Sequence, residues 1–378
     1  MLEPDYYYVI VGGGLAGLQL ASCFSNDVFF KGKKIAIIEP TEKIENDKTW
    51  CFWQNTSGKW DHLISKSWKK ASFFSSETEK ILDLGDYSYN MIRSSDFYQN
   101  VKSELEASED FVFIKDRIEK VDPVTRTAIG KKNNYTATHF FDSRVTDDYQ
   151  EDPKTSILYQ HFKGWVIETK DTVFVPETFT MMDFRLKYKD STSFTYILPL
   201  TKNKALVEFT FFTPYLTDDN VYDEMLGKYL REILKLKSWK VTETESGLIP
   251  MTDYPFHKNN SAYITKIGTG GGWVKASSGY SFKNTERKVE KIIENIKRGL
   301  LPSEDLFNKN FARYDAIFLD VLSHRNDLGE QLFTKFYTKN AIEDIFRFLD
   351  EETSFSENLK IMLSLYHPEF IKSFFRKL

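Results

Sequence analysis

Tyr6-Tyr7-Tyr8-Val9-Ile10-Val11-Gly12-Gly13-Gly14-Leu15-Ala16-Gly17 is the stretch whose reading decides the fold. Tyr6 to Val11 is a β-rich run that passes directly into Gly12-x-Gly14-x-x-Gly17. From Leu15 onward Leu18, Leu20, Ala21 and Phe24 recur at helical spacing, and Lys33–Glu39 reads as a second buried strand. Strand, glycine turn, helix and strand form the first unit of a parallel sheet. Gly12 permits the tight turn, and Gly14 lets the backbone approach a pyrophosphate. The amides of Leu15 and Ala16 open the helix toward that anion, and Gly17 lets the helix pack close to the strand. Glu39 lies 22 residues beyond Gly17, at the end of the second strand, where a carboxylate accepts from ribose hydroxyls. The pattern calls for an adenine dinucleotide. A glycine turn without a ligand would leave Glu39 unexplained.

Further along, Lys43 to Trp60 reads as irregular, with tryptophans at positions 50, 53 and 60. Ser95–Glu106 reads as a helix capped near Ser94 or Ser95, and Phe111–Phe113 and Arg117–Val121 read as strands. From about Ser156 to Phe212 the pattern turns to β. Phe194–Leu200 and Ala205–Phe212 are joined by Thr-Lys-Asn-Lys as a hairpin. Helical spacing returns near Thr285 and persists to the C-terminus. The predicted fold is α/β: a Rossmann-type dinucleotide domain, discontinuous over residues 1–150 and 255–300. A β-rich substrate domain spans residues 151–254, and a helical C-terminal region spans 301–378.

The second glycine cluster, Gly268-Thr269-Gly270-Gly271-Gly272, with Ser277-Ser278-Gly279 after it, favours FAD over NAD alone. Two-part flavoproteins bring such a late loop to the ribityl chain and flavin ring, and amides around Gly279 would favour an anionic reduced ring. NAD bound alone gives the late loop no role.

The bulk figures exclude several classes. The chain has 378 residues, a formal net charge of -4 and no basic footprint, which argues against nucleic acid as a partner. Two cysteines, Cys23 and Cys51, are too few for a disulfide framework or zinc cluster and fit a reducing cytosol. Six histidines lack metal-ligand spacing, so no metal is expected. No stretch approaches the ~20 apolar residues of a membrane span, and no secretory leader is visible. Aromatics reach 16%, with 32 phenylalanines. A Phe-rich core explains that figure; so does a pocket for a polyene or a cation.

Several longer blocks resemble the lycopene cyclase family and extend over most of the chain. Asp47-Lys48-Thr49-Trp50-Cys51-Phe52-Trp53 is similar to its Asn-x-Thr-Trp-x-Phe block, and Met182-Asp183-Phe184-Arg185 matches its Met-Asp-Phe-Arg signature. Phe194-x-Tyr196-x-Leu198-Pro199 and Ala205-Leu206-Val207-Glu208-x-Thr210 resemble its paired hairpin strands. Gly247-x-Ile249-Pro250-Met251 and Gly268-x-x-Gly271-Gly272-x-x-Lys275-x-Ser277-x-Gly279-Tyr280-x-Phe282 are similar to its later blocks, in family order. Asp142-Ser143-Arg144 resembles a further family motif, although Val145 stands where relatives have Gly.

The resemblance implies a redox-neutral cyclisation of lycopene or a related acyclic carotene by a flavin-dependent lycopene β-cyclase. FAD would act in its reduced form, primed by NAD(P)H. A carboxylic acid of pKa ~4.3 cannot protonate an alkene unaided. The cation therefore needs a dry site with fixed negative charge. Glu208 is the candidate acid and base: alternation puts Leu206, Glu208 and Thr210 on one face of an apolar strand, where desolvation raises a carboxyl pKa. Asp183 and Arg185 form the candidate supporting pair, with Arg185 able to pair with Asp183 or Glu208; a structural salt bridge is the alternative. Trp50, Trp53 and Tyr196 are candidates for the polyene tunnel, or for plain core packing. Arg93, at a strand-to-helix junction, and Asp142, Gly271, Gly272 and Gly279 are further candidate cofactor contacts. A related prenyl or carotenoid reductase or monooxygenase is the alternative activity.

Such a substrate dissolves in bilayers. The tail Phe370-Ile371-Lys372-Ser373-Phe374-Phe375-Arg376-Lys377-Leu378 mixes aromatic and basic residues as interfacial helices do, and Trp68-Lys69-Lys70 is another such spot. A cytoplasmic protein held peripherally at the inner face of the cell membrane is expected.

Overall fold

The computed structural model describes residues 3–377; residues 1, 2 and 378, including the last residue of the basic aromatic tail, lie outside the described residues. The chain opens with β1 (Tyr6–Val11), α1 (Leu15–Ser25) and β2 (Ile35–Ile38), then β3 (Thr49–Gln54), β4 (Lys66–Trp68), β5 (Lys70–Phe74), β6 (Glu79–Asp83) and β7 (Ser88–Arg93). Next come α2 (Ser94–Glu106), β8 (Phe111–Ile114), β9 (Ile118–Asp122), β10 (Thr127–Gly130), β11 (Asn134–Asp142) and the short α3 (Asp148–Glu151). The β-rich middle holds β12 (Ile157–Glu168), β13 (Thr178–Asp183), β14 (Ser193–Pro199), β15 (Lys204–Thr213), α4 (Asp219–Glu232), β16 (Lys240–Thr252) and β17 (Ile264–Lys266). The remainder is helical: α5 (Phe282–Lys297), α6 (Lys309–His324), α7 (Gly329–Lys339), α8 (Ile342–Leu349), α9 (Phe355–Ser364) and α10 (Pro368–Arg376).

The first sheet runs β8-β2-β1-β11-β10-β9, with β17 added on β11. Its β8, β2, β1, β11 and β17 are parallel neighbours. Parallel strands are covered on both faces. Accordingly Tyr8 and Ile10 pack with Leu18 and Phe24 beneath α1, while Val9 and Val11 pack with Ala36, Ile38 and Phe140 on the other face. Gly17 makes the close approach possible, because a Cβ there would collide with the carbonyl oxygen of Gly12, itself at φ 106°.

The second sheet runs β16-β12-β15-β14-β13-β5-β6. The predicted hairpin is its β14–β15 pair, with Tyr196 opposite Glu208. β5 and β6 enter this sheet by the parallel pairing of β5 with β13, although residues 70–83 lie inside the segment assigned from sequence to the dinucleotide unit. One face of the sheet carries α4: Val207, Phe209 and Phe211 pack there with Tyr222, Leu226 and Tyr229. Its other face looks toward the first sheet and the C-terminal helices.

A small third sheet, β3-β7-β4, lies between them. Here the structure departs from the irregular reading of Lys43–Trp60, because β3 pairs along its whole length with β7. The run Thr-Trp-Cys-Phe-Trp-Gln is rich in strand formers, but it lacks the period-two polarity that marks a strand because both its faces are covered. The helix predicted from Ser95 begins at Ser94, with Arg93 in the extended capping position.

Candidate active site

A continuous cavity of about 1160 Å³ runs from the start of α1 across the inner face of the second sheet to α9 and α10. Its first end is the glycine turn. Gly14 is the cap residue of α1, and no side chain caps the helix there. The first amides of the helix point outward unpaired, in the positive field of the helix end. A Cβ on Gly14 would meet no atom within 4 Å, so the turn leaves room for a bound group. Gly14, Leu15, Ala16 and Gly17 all line this end. Glu39 stands beside it, accepting from the amide of Gly13 (2.9 Å) and the hydroxyl of Thr41 (2.6 Å).

The late glycine loop closes the same end with residues other than those expected. Gly268, Thr269, Ser278 and Gly279 line the cavity; Gly271 and Gly272 do not. Residues Gly268–Gly271 form one tight helical turn, which presses Gly270 onto the backbone of Arg144 and Gly271 onto that of Lys266. Gly279, at φ 79°, abuts the side chain of Gln160, and the Ser278 hydroxyl is buried without a hydrogen-bond partner. An uncapped helix end, a glycine with open space above it and a buried unpaired hydroxyl together fit a dinucleotide.

Of the other predicted cofactor residues, Gly12 and Glu39 stand behind the turn without lining the cavity, and Asp142 and Arg93 lie off it. Asp142 is buried and accepts from Arg144 (2.8 Å) and Lys266 (3.0 Å). Against its desolvation, those two cations hold its carboxyl below the usual range. It clamps the ends of β11 and β17, and its neighbour Ser143 reaches the cavity instead. Arg93 pairs with Glu243 at 2.7 Å and faces a second, small cavity beside β16.

The sheet face forms the middle of the cavity. Leu206, Glu208, Thr210 and Phe212 project into it from β15, as alternation predicted, and Phe162 and Glu245 join them from β12's and β16's side. Glu208 is buried and accepts a hydrogen bond from Thr210 (2.7 Å). Burial, and then the nearby charge of Glu245, push its carboxyl pKa well up. No cation pairs with Glu208 among the described residues.

Asp183 and Arg185 are brought to each other and not to Glu208. Asp183 sits opposite Thr195, whose own partner is Phe209 on the α4 face. It accepts from Arg185 at 2.5 Å and from the Tyr229 hydroxyl of α4 at 2.6 Å. A register shift between Thr180 and Asp183 turns the end of β13 away from the cavity that Met181 and Met182 line.

Trp50 and Trp53 are also separated. Being three apart on a strand, they point to opposite sides. Trp50 lines the cavity, edge-on to Phe97 and Tyr98. Trp53 stacks on Phe346 at 4.6 Å and donates its indole N–H to Asp350. Tyr196 lines the cavity, and its hydroxyl meets Tyr89 (2.8 Å), which in turn meets Tyr280 (2.9 Å). Tyr89 escaped the sequence reading because it carries no local signal, and Tyr280 stood in a family-like block without being assigned a place in the site. Glu245 escaped it too: Thr242-Glu243-Thr244-Glu245 alternates like a solvated edge strand.

The far end of the cavity is an apolar mouth. Phe355, Leu359 and Leu363 of α9, with Tyr366, Phe374 and Phe375, line it and are all exposed. No helix is long and apolar enough to cross a membrane among the described residues.

A family model described as lycopene cyclase protein matches residues 8–376. No curated protein matches the sequence. Among solved structures, the flavin-dependent brominase Bmp2 is similar over 99% of this chain and 100% of its own, with a TM-score of 0.67 and 12% identity. A geranylgeranyl bacteriochlorophyll reductase-like protein from Thermoplasma acidophilum is similar over 99% of both chains, with a TM-score of 0.63 and 12% identity. The flavin-dependent halogenase BrvH from Brevundimonas sp. BAL3 is similar over 99% of this chain and 90% of its own, with a TM-score of 0.58 and 14% identity. At these identities the likeness establishes the fold, a Rossmann-type flavoprotein architecture.

Proposed function

The chain belongs to the lycopene cyclase family, and from that premise we propose that it is a lycopene β-cyclase, closing the ends of lycopene or a related acyclic carotene to β-rings with reduced FAD. The observation that carries this reading is Glu208: a buried carboxyl with no cationic partner among the described residues, in an apolar cavity that continues to an uncapped helix end.

The amides of Leu15, Ala16 and Gly17 would hold the pyrophosphate, Glu39 the ribose, and the Ser278–Gly279 turn the ring end. When bound, and primed by NAD(P)H, the reduced ring supplies fixed negative charge beside the substrate's developing cation. Glu208 stays protonated near neutral pH because its burial disfavours the anion, and it donates to the CH carbon of the terminal double bond, leaving the cation on its dimethyl carbon. The ring carbon–carbon bond closes on the tertiary cation, and loss of a ring proton leaves the product with no net electron transfer. Phe162, Trp50 and Tyr196 exclude water and offer π faces to positive charge. Asp183 and Arg185 hold the β13 end in register behind this surface.

The apolar mouth supports docking on a bilayer, from which the carotene would enter directly, and hence a peripheral place on the inner face of the cell membrane. The deciding experiment is expression in bacteria that accumulate lycopene. A shift from red lycopene to yellow-orange β-carotene supports the reading, and unchanged lycopene beside well-expressed, flavin-loaded protein ends it. A reductase would instead yield saturated products and consume NAD(P)H stoichiometrically.

A further inference from the structure

We infer that Glu245 is a second carboxyl of the reaction centre, the group that takes up the proton lost by the ring carbon after Glu208 has donated one. The inference rests on the proposed cyclisation.

The second sheet builds this pair with one residue. On β12, Gly164 is the register partner of both Glu208 on β15 and Glu245 on β16. The three positions form a row across neighbouring strands, so both carboxyl side chains rise from the same face, with a residue lacking a side chain between them. A Cβ on Gly164 would sit 3.3 Å from Cγ of Glu245, 3.5 Å from Cβ of Glu208 and 3.0 Å from Cδ1 of Leu206. The glycine thus opens the space through which the two stems converge, and both residues line the same cavity.

The surroundings of the two carboxyls differ in a way that sorts their roles. Glu208 faces Thr210 from its own strand, Tyr196 from β14, Cys51 from β3, Tyr280 from the late loop and Glu245 from β16; none is a cation. Glu245 faces the hydroxyl of Thr49 (2.6 Å), Lys48, Glu243 of its own strand and Arg93 of β7. Burial raises both carboxyls, but only Glu245 has a hydrogen-bond donor and two cations to favour its anion. Two like charges in one dry cavity do not both ionise readily, and these surroundings favour the proton on Glu208 and the anion on Glu245.

The steps balance. The Glu208 O–H bond breaks as a C–H bond forms at the CH carbon of the terminal double bond, and the ring C–C bond then closes on the tertiary cation. The ring C–H bond breaks as an O–H bond forms on Glu245. That proton returns to Glu208 across the Gly164 gap, and the pair is reset without oxidant or reductant.

The test uses the flavin-loaded full chain with lycopene in liposomes, following initial cyclisation rate against pH. The wild type should lose rate at low pH, as Glu245 becomes protonated, and at high pH, as Glu208 loses its proton. Glu245→Gln should lower the rate by ~10²–10⁴-fold and abolish the acid limb. Glu245→Asp, which keeps the charge one methylene further back, should keep the acid limb and lose ~10-fold. Either variant turning over within ~3-fold of wild type with unchanged limbs overturns the inference, as does loss of flavin loading in both, which would mark a structural role. Full cyclisation by Glu208→Gln would remove Glu208 as the donor and this inference with it, whereas no cyclic product from the wild type would strike the cyclase reading instead.

Discussion

The Tyr229 hydroxyl of α4 donates a 2.6 Å hydrogen bond to Asp183, fastening that carboxylate to the side of the second sheet away from Glu208. Asp183 is fully buried, and Arg185 completes its shell while covering the ring of Phe74 at 4.0 Å. Asp183→Asn removes a charge that both partners are arranged around. It should destabilise the protein by about 1–3 kcal/mol, below the cost for a fully buried pair because the Arg185 side chain is 39% exposed. Thermal melting measures this; activity should fall in proportion to folded protein. A rate loss at unchanged melting temperature would return the pair to the chemistry.

Replacing Glu208 by Gln keeps size and hydrogen bonding and removes the transferable proton. Cyclisation should fall by ~10²–10⁴-fold with flavin content unchanged. The raised carboxyl pKa gives a sign for the wild type: the rate falls as pH rises through it, because only the protonated form donates. A rate that climbed steadily with pH would contradict the assignment.

Gly14 and Gly17 separate binding from folding. A Cβ at Gly14 enters open space, so Gly14→Ala should change stability by less than ~0.5 kcal/mol yet weaken flavin binding, read by flavin absorbance after desalting. Gly17→Ala drives a methyl into the carbonyl of Gly12 and should cost both stability and flavin. Equal flavin retention in Gly14→Ala and wild type would move the dinucleotide elsewhere.

Phe355 and Phe375 are 73% and 69% exposed at the cavity mouth. Changing both to Ser should leave the fold intact and reduce co-sedimentation with anionic liposomes by about tenfold, given the transfer energy of an aromatic side chain. Undiminished binding would remove this face as the docking surface.

His139 and His161 are buried, and desolvation pushes each ring's pKa down to about 4. The unfolded chain takes up their protons near the ordinary histidine value while the folded chain does not. Stability should therefore be lost as pH falls from about 6.5 toward 4, and regained on the way back. Urea midpoints at stepped pH read this slope, and the His139→Gln/His161→Gln double variant should flatten it.

Much of the fold was legible because it is local. A glycine turn between a strand and an amphipathic helix is dictated by sterics within a dozen residues, and alternation along Ala205–Phe212 placed Glu208 apart from Val207 and Phe209 before any partner strand was known. What local pattern could not supply was which surface each face meets. Trp50 and Trp53 share one block, yet strand geometry sends them to opposite sides. Met182-Asp183-Phe184-Arg185 reads as one unit, yet a register shift assigns Met182 to the cavity and Asp183 to α4. The sequence by itself determined the glycine turn and the strand face that carries Glu208, since both follow from backbone sterics and period-two geometry. Only the tertiary structure decided that Glu245 stands beside Glu208, because the pairing of β15, β12 and β16 brings residues 208 and 245 to either side of Gly164, and strand register is a property of the assembled sheet.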